Sequence, residues 1–303
     1  MRRAVAWLAA FAVALAGVGW AATRPRGLPP ADLAALPAGD AARGASVFWI
    51  GGCESCHAAK GATGDDRLRL GGGQQLKTPF GSFSVPNISP DPADGIGAWS
   101  EADFTNALMR GVSPDGRHYY PAFPYASYAR MTVQDVADLW AFLRTLPPVA
   151  GKAPGHDLGF PWSFRRGVGL WKLAYLDDTP AVAIDTSDPL VARGQYLAEG
   201  PGHCGECHTQ RGFGGAMDLS RWLAGGPSPE GQGRIPNITP GGDLADWSIA
   251  DIAYFFETGF TPEFDTAGGA MAAVQRNLAE LAPGDRDALA AYLKAIPPQP
   301  PSK

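Results

Sequence analysis

The sequence predicts a helical chain of two tandem domains, preceded by an apolar N-terminal helix. Three observations predict it. A set of landmarks recurs at an almost fixed offset of 150 residues, apolar positions follow helical spacing between long Gly- and Pro-rich connections, and the first 22 residues contain an unbroken apolar run.

At 303 residues the chain is long for one domain and comfortable for two. Its 39 glycines and 28 prolines imply long loops between helices. A net charge of −5 argues against a nucleic-acid partner.

Residues 1–22 form a signal or anchor segment. Arg2 and Arg3 precede nineteen apolar residues, Ala4 to Ala22, and Thr23-Arg24-Pro25-Arg26 ends the run. Nineteen residues at about 1.5 Å each just span a bilayer. The run is long for a signal core and reads as an uncleaved anchor, with a cleaved signal at Gly19-Trp20-Ala21 as the alternative. Residues 23–40, rich in Pro and Ala, read as a spacer.

The first domain is predicted over 41–150. A helix from Ala41 to Ile50 carries Val47, Phe48 and Ile50 and leads into Gly51-Gly52. After Gly71-Gly72-Gly73 comes Pro86-Asn87-Ile88-Ser89-Pro90. Ser100 then caps a second helix, with Asp103 at the third helical position and Gly111 at its end. Thr132 caps a closing helix whose Val136, Leu139, Trp140 and Leu143 share one face, and Pro147-Pro148 stops the chain.

A linker over 151–188 precedes the second domain, 189–303, which repeats this order. Arg43-Gly44 returns as Arg193-Gly194, and Pro86-Asn87-Ile88-Ser89-Pro90 as Pro236-Asn237-Ile238-Thr239-Pro240. Trp99-Ser100 returns as Trp247-Ser248, Asp135 as Asp285, and Pro147-Pro148 as Pro297-Pro298.

Each domain also carries one copy of a chemical motif, Cys53-Glu54-Ser55-Cys56-His57 and Cys204-Gly205-Glu206-Cys207-His208. Two cysteines separated by two residues, with histidine next, form the attachment site of a c-type haem. One helical turn spaces the thiols for thioether bonds to the two vinyl groups, and the histidine lies under the iron as proximal ligand. Two covalently bound haems, on Cys53, Cys56, His57 and on Cys204, Cys207, His208, consume all four cysteines. A structural zinc site or two redox pairs are the alternatives. Zinc does not require a histidine directly after both pairs, and no βαβ surround for a redox pair is evident.

Arg-Gly before Cys-x-x-Cys-His, then Pro-Asn-Ile-[Ser/Thr]-Pro, Trp-Ser and a last helix ending in Leu-Pro-Pro or Ile-Pro-Pro resemble one family. It is the multihaem class I cytochrome c subunits of bacterial membrane-associated dehydrogenases for alcohols, sugars, gluconate and aldehydes. The likeness covers roughly 41–298 and includes Phe160-Pro161-Trp162-Ser163-Phe164-Arg165-Arg166 and Trp171. Members often hold three haems, so this chain resembles a shortened version. The resemblance implies an all-α fold per domain and a periplasmic location. It also implies transfer of electrons from a partner dehydrogenase to quinone, a cytochrome or a terminal oxidase.

The sixth iron ligands follow from five methionines. Met271 precedes the closing helix where class I cytochromes place their axial methionine; a packing role is the alternative. The first domain departs from the family's Pro-Ala-Met-Pro-Tyr with Pro121-Ala122-Phe123-Pro124-Tyr125. Met131 is the nearest replacement, although it lies 150 residues before Leu281, a packing position. His118 as ligand or a five-coordinate iron remain open. Met109 reads as packing, and Met217 follows its motif too closely to reach the opposite haem face.

By resemblance Pro86-Asn87 and Pro236-Asn237 line the haem edge near its propionates, with Trp99 and Trp247 nearby; turn chemistry and core packing are the alternative. Arg43 and Arg193 either pair with propionates or stay solvated. Gly44 and Gly194 allow the first and last helices to cross closely, near Phe142 and Tyr292. His156 and His203 read as linker or surface residues. The chain is thus expected to carry electrons on the periplasmic side of the inner membrane, held by its N-terminal helix, or free in the periplasm if that helix is cleaved. The rival is a haem enzyme or ligand sensor with an open first iron.

Overall fold

The computed structural model describes residues 2–228 and 233–300, so the outer ends of the predicted first and last segments, Met1 and Lys303, lie outside the described residues. Helix α1, Arg2–Ala22, has no buried side chain, as expected of an apolar helix that finds no core to pack into. A short α2, Pro30–Ala34, follows. The segment expected to be a spacer is instead docked on the body. The Leu28 N–H donates to Asn106 Oδ1 at 2.8 Å, Gln134 donates to the Ala38 carbonyl, and the Asp40 N–H donates to Asp138.

The N-terminal half contains α3, Ala41–Ile50, the short α4, Cys53–His57, α5, Glu101–Arg110, α6, Tyr125–Tyr128, and α7, Val133–Leu143. Local sequence explains their ends. The Asp40 carboxylate accepts from the Ala42 and Arg43 N–H groups at the start of α3. Ser100 and Asp103 form a reciprocal capping box on α5, and Gly111 ends that helix with φ 58°. Thr132 caps α7 through the Asp135 N–H.

After the linker helix α8, Val168–Tyr175, the C-terminal half contains α9, Pro189–Glu199, the short α10, Gly205–His208, α11, Ile249–Thr258, α12, Met271–Leu278, and α13, Pro283–Ala295. Ser248 and Asp251 repeat the capping box, and Gly259 repeats the left-handed end.

In each half the first and last helices cross at a glycine. A Cβ on Gly44 would lie 1.9 Å from the Asp138 carbonyl oxygen, and one on Gly194 would lie 1.9 Å from that of Ala288. Only glycine permits this approach. Phe142 and Tyr292 flank the two crossings, as the sequence implied. One core gathers Phe48, Leu70, Phe104, Leu108, Met131, Val136 and Leu139, and the other gathers Leu197, Leu223, Ile252, Phe256, Leu289 and Tyr292. Ile50 of α3 belongs to the second core, so the halves are packed together.

The fold is helical, as expected, and short strands accompany the helices. Strands β1, Gln75–Thr78, β2, Gly81–Ser84, and β3, Asp157–Leu158, form an antiparallel sheet in that order, and β4, Gly226–Pro227, pairs with β5, Arg234–Ile235. The β1–β2 turn is closed by Thr78, whose hydroxyl accepts from the Phe80 N–H and donates to the Gly81 carbonyl. The linker supplies β3, with Leu158 opposite Gly81. The linker is therefore part of the fold rather than a free tether.

Candidate haem sites

Each Cys-x-x-Cys-His stretch forms one short helical turn, α4 and α10. The residue before each turn has positive φ, Gly52 at 56° and His203 at 39°. In both turns one cysteine is partly buried and the other exposed, and none of the four is in a disulfide. Burial pushes the Cys53 and Cys204 thiols up to about 12. Among the described residues no three His, Cys, Asp or Glu side chains converge, which removes the donor set a structural zinc site needs.

The histidines are fixed alike. His57 Nδ1 donates to the Pro86 carbonyl at 2.8 Å, and His208 Nδ1 donates to that of Pro236 at 3.0 Å. The Pro-Asn-Ile segments thus hold the histidines in place. Their asparagines brace the turn. Asn87 Oδ1 accepts from the Ser89 N–H while its amide donates to the Val149 carbonyl, and Asn237 does the same with Thr239 and Gln299. Desolvation outweighs the carbonyl contact and holds His57 down at about 4, and lowers His208 in the same way. Both imidazoles are therefore neutral, and the hydrogen bond on Nδ1 leaves Nε2 as the nitrogen with a lone pair. An axial iron ligand needs that tautomer. The residues present fit a proximally ligated haem at both turns.

Each turn receives a hydrogen bond from the other half across the seam between the halves. Asn277 of α12 donates to Ser55 Oγ, between Cys53 and Cys56, at 2.8 Å. Ser127 of α6 donates to Glu206 Oε1, between Cys204 and Cys207, at 2.9 Å. Arg67 reinforces the first contact. Its guanidinium lies 4.3 Å from the Trp49 ring centre, donates to Asn277 and Glu280, and sits 3.5 Å from the buried Glu54 carboxylate. His203 is no surface residue: its Nε2 meets the Gly51 carbonyl at 3.1 Å, across the seam.

Behind the second turn, the Trp222 indole packs where a Gly205 Cβ would be, at 2.1 Å. Its N–H donates to Tyr292 Oη, which donates to the buried Glu199 carboxylate. Burial beside Glu199 raises the Tyr292 hydroxyl far above its ordinary value, so it stays a donor. Trp99 and Trp247 are half-buried and pack on the two cores.

Met271 begins α12 and packs on the same core as Cys204. Met131 is buried in the core that Cys53 packs against. Register explains the ambiguity of the first domain. The bridges Val112↔His118 and Phe260↔Thr266 are offset by 148, whereas the glycine crossings are offset by 150. The shift falls between them, in the stretch that holds Phe123 in one half and Met271 in the other, and it leaves Met131 opposite the buried Leu281. Tyr119, Tyr125 and Tyr128 surround Phe123 at ring distances of 5.8, 6.2 and 5.8 Å. Met109 is core, and Met217 lies against Gly205 beside its own turn.

The structure also places the other candidate side chains. Arg43 and Arg193 stay exposed, and each is oriented by an ion pair. Each pairs with the last helix of its half, Arg43 with Asp138 at 2.7 Å and Arg193 with Asp285 at 2.9 Å. His118 is buried rather than at the surface, and its Nε2 meets the Thr23 carbonyl at 2.8 Å, beside the end of α1. His156 is an exposed linker residue, as expected, and its Nδ1 accepts from the Ser84 N–H at the sheet edge.

A match to the cytochrome c family covers residues 41–147. Over 297 residues the chain is 52% identical to a diheme cytochrome c-type protein of Cereibacter sphaeroides, covering 98% of this chain and 99% of that one. The chain belongs to the cytochrome c family. It is 36% identical to the cytochrome c subunit of the quinone-type alcohol dehydrogenase of Gluconobacter oxydans, over 94% of this chain and 62% of that subunit. Against the fructose dehydrogenase cytochrome subunit of Gluconobacter japonicus it is 36% identical, over 84% of this chain and 52% of the relative. It thus spans little more than half of these dehydrogenase subunits. A cytochrome c of this kind binds haem covalently and is an electron-transfer protein rather than an enzyme.

Proposed function

We propose that the chain is a dihaem electron carrier made of two tandem class I cytochrome c domains on the periplasmic side of the inner membrane, held there by α1. Cys53 and Cys56 would hold one haem and Cys204 and Cys207 the other, with His57 and His208 as proximal ligands and Met131 and Met271 as sixth ligands. The observation that carries this reading is the reciprocal seating of each attachment turn on the other half, Asn277 on Ser55 and Ser127 on Glu206, which supports exchange of electrons within one molecule.

Each bound haem supplies one-electron iron chemistry. The protein's part is positional. Pro86 and Pro236 fix the tautomer and orientation of the imidazoles, and a thioether on the opposite face favours the reduced iron and raises its potential. The donor is a membrane-associated dehydrogenase of the alcohol, sugar or gluconate type, and the acceptor is quinone, a cytochrome or an oxidase. The net charge of −5 implies that encounter with a basic partner slows as salt is added.

A pyridine haemochrome count on the purified protein, with a near-infrared spectrum of the oxidised form, tests the proposal. Two haems per chain, both with the sulfur-to-iron band, are expected. One high-spin haem would remove Met131 from the ligand set, and no covalent haem would overturn the assignment of the turns.

A further inference from the structure

The body grips the end of α1 at one place. Arg166 donates to the Trp20 carbonyl and to Thr23 Oγ1, and its guanidinium lies 4.1 Å from the Trp20 ring centre. His118 meets the Thr23 carbonyl, and Gly169 packs so closely on Thr23 that a Cβ there would lie 2.3 Å from its carbonyl oxygen. The last turn of α1 is therefore clamped by the linker rather than hinged to it.

The same linker carries large apolar side chains that stay exposed, although Trp162 lies edge-on to Phe80 at 4.8 Å. Phe160, Trp162 and Phe164 are exposed just before Arg165-Arg166, with Phe160 at 88%. On α8 the inward side is Val168, Gly169 and Lys172, and Lys172 donates to the Arg110 and Gly111 carbonyls at the end of α5. Its outward side, where a helix in water carries polar residues, is Leu170 and Leu173, exposed by 61% and 59%. Scattered apolar residues need no explanation, but a cluster on one element does.

Charge identifies what covers it. In a chain of net charge −5, residues 160–176 contain Arg165 and Arg166, besides the inward Lys172, and no Asp or Glu before Asp177, and residues 1–31 contain none either. Exposed Arg24 directly follows the apolar helix. Aromatic and leucine side chains beside arginines, adjoining the end of a 21-residue helix exposed on every side, match the interfacial zone of a bilayer with anionic headgroups.

We propose that the linker segment 160–175 is a second membrane contact, lying in the headgroup zone beside α1 and fixing how the haem-bearing body is presented. It rests on the reading of α1 as a retained anchor. With the clamp at Trp20–Thr23, two attachments remove the rotation that a single tether would leave.

The full-length holoprotein in nanodiscs containing phosphatidylglycerol tests this by nitroxide labelling and power-saturation spectroscopy. Labels go on Leu170→Cys, Leu173→Cys and Phe164→Cys, with Val13→Cys reporting on α1 and Lys60→Cys as a water-exposed reference; an unchanged haem spectrum verifies folding of each. The oxygen-to-nickel-chelate accessibility ratio at 164, 170 and 173 is expected to exceed that at 60 severalfold and to approach that at 13. A lipid signal at 13 with water-like values at 164, 170 and 173 overturns the second contact and leaves the anchor standing. A water-like value at 13, or its loss with the N-terminus from the mature protein, overturns the anchor and with it this proposal.

Discussion

Gly194→Ala tests the crossing that builds the second haem site. The new methyl would start 1.9 Å from the Ala288 carbonyl oxygen and 2.6 Å from Tyr292 Cβ. Ordinary contact begins near ~3.5 Å, so α9 and α13 must part by about 1.5 Å. Neither obstacle is the end of a flexible side chain, so rotation does not relieve the overlap. Overpacking of this kind costs about 1–3 kcal/mol, and a clash with backbone belongs at the upper end. Alanine's better helix propensity offsets about 1 kcal/mol, leaving a net loss of about 2 kcal/mol. For a unit of this size that lowers the melting midpoint by roughly 10 °C. Thermal melts of the holoprotein by circular dichroism give the answer, with Gly284→Ala, which meets nothing within 4 Å, as control. A Gly194→Ala midpoint within about 2 °C of the control would show that the helices do not cross as closely as described.

Met271→Leu should abolish the near-infrared sulfur band of one haem and lower its potential, and Met131→Leu should do so for the other; a spectrum unchanged by either removes that thioether from iron. Tyr292→Phe leaves Glu199 and the Trp222 N–H each short of a partner, and should cost about 1–3 kcal/mol in urea unfolding. Burial pushes Lys172 down to about 7 from its ordinary 10.5. Between those values the unfolded chain binds a proton that the folded chain has released, so stability should rise with pH across that window. Lys172→Met should flatten the rise; unfolding curves at the two ends of the window decide, and an unaltered slope would exclude Lys172 as its source.

What was legible in the sequence was what local chemistry decides. Ser100 with Asp103, Thr132 and Gly111 marked helix ends because a cap is satisfied within a few residues of itself. Gly44 and Gly194 announced a close crossing because each lies one residue after an arginine at matching places in two copies. Long-range pairings were not legible. Arg43 finds Asp138, yet Arg193 finds Asp285, which matches Asp135 rather than Asp138, so the repeat itself misleads there. His203 looked idle and His118 could be offered only as a ligand or loop residue because their partners, the Gly51 and Thr23 carbonyls, are backbone groups that no side-chain pattern reveals. His203 did leave one trace: it matches Gly52, in a turn that needs positive φ, and a histidine there calls for a reason. The short strands escaped because two to four residues are too few for an alternating pattern.

The repeat also explains the seam. Ser127 matches Asn277 at an offset of 150, and Ser55 matches Glu206 at 151. The hydrogen bonds Asn277 to Ser55 and Ser127 to Glu206 are therefore the same contact made twice, each half giving the segment before its closing helix and receiving on its Cys-x-x-Cys turn. A contact in which position i of one copy meets j of the other, and j meets i, has the symmetry of a two-fold dimer. Side-chain identity has diverged, hydroxyl and amide on one side and hydroxyl and carboxylate on the other, while the geometry has stayed. What persists is thus the seating of each turn on the other half rather than any one residue. On the dihaem function proposed above, transfer between the two centres depends on that seating. Ser127→Ala and Asn277→Ala should each cost about 1 kcal/mol, and together they should slow equilibration between the haems after flash reduction of one. Equilibration unchanged in a folded double variant would separate the seam from electron transfer.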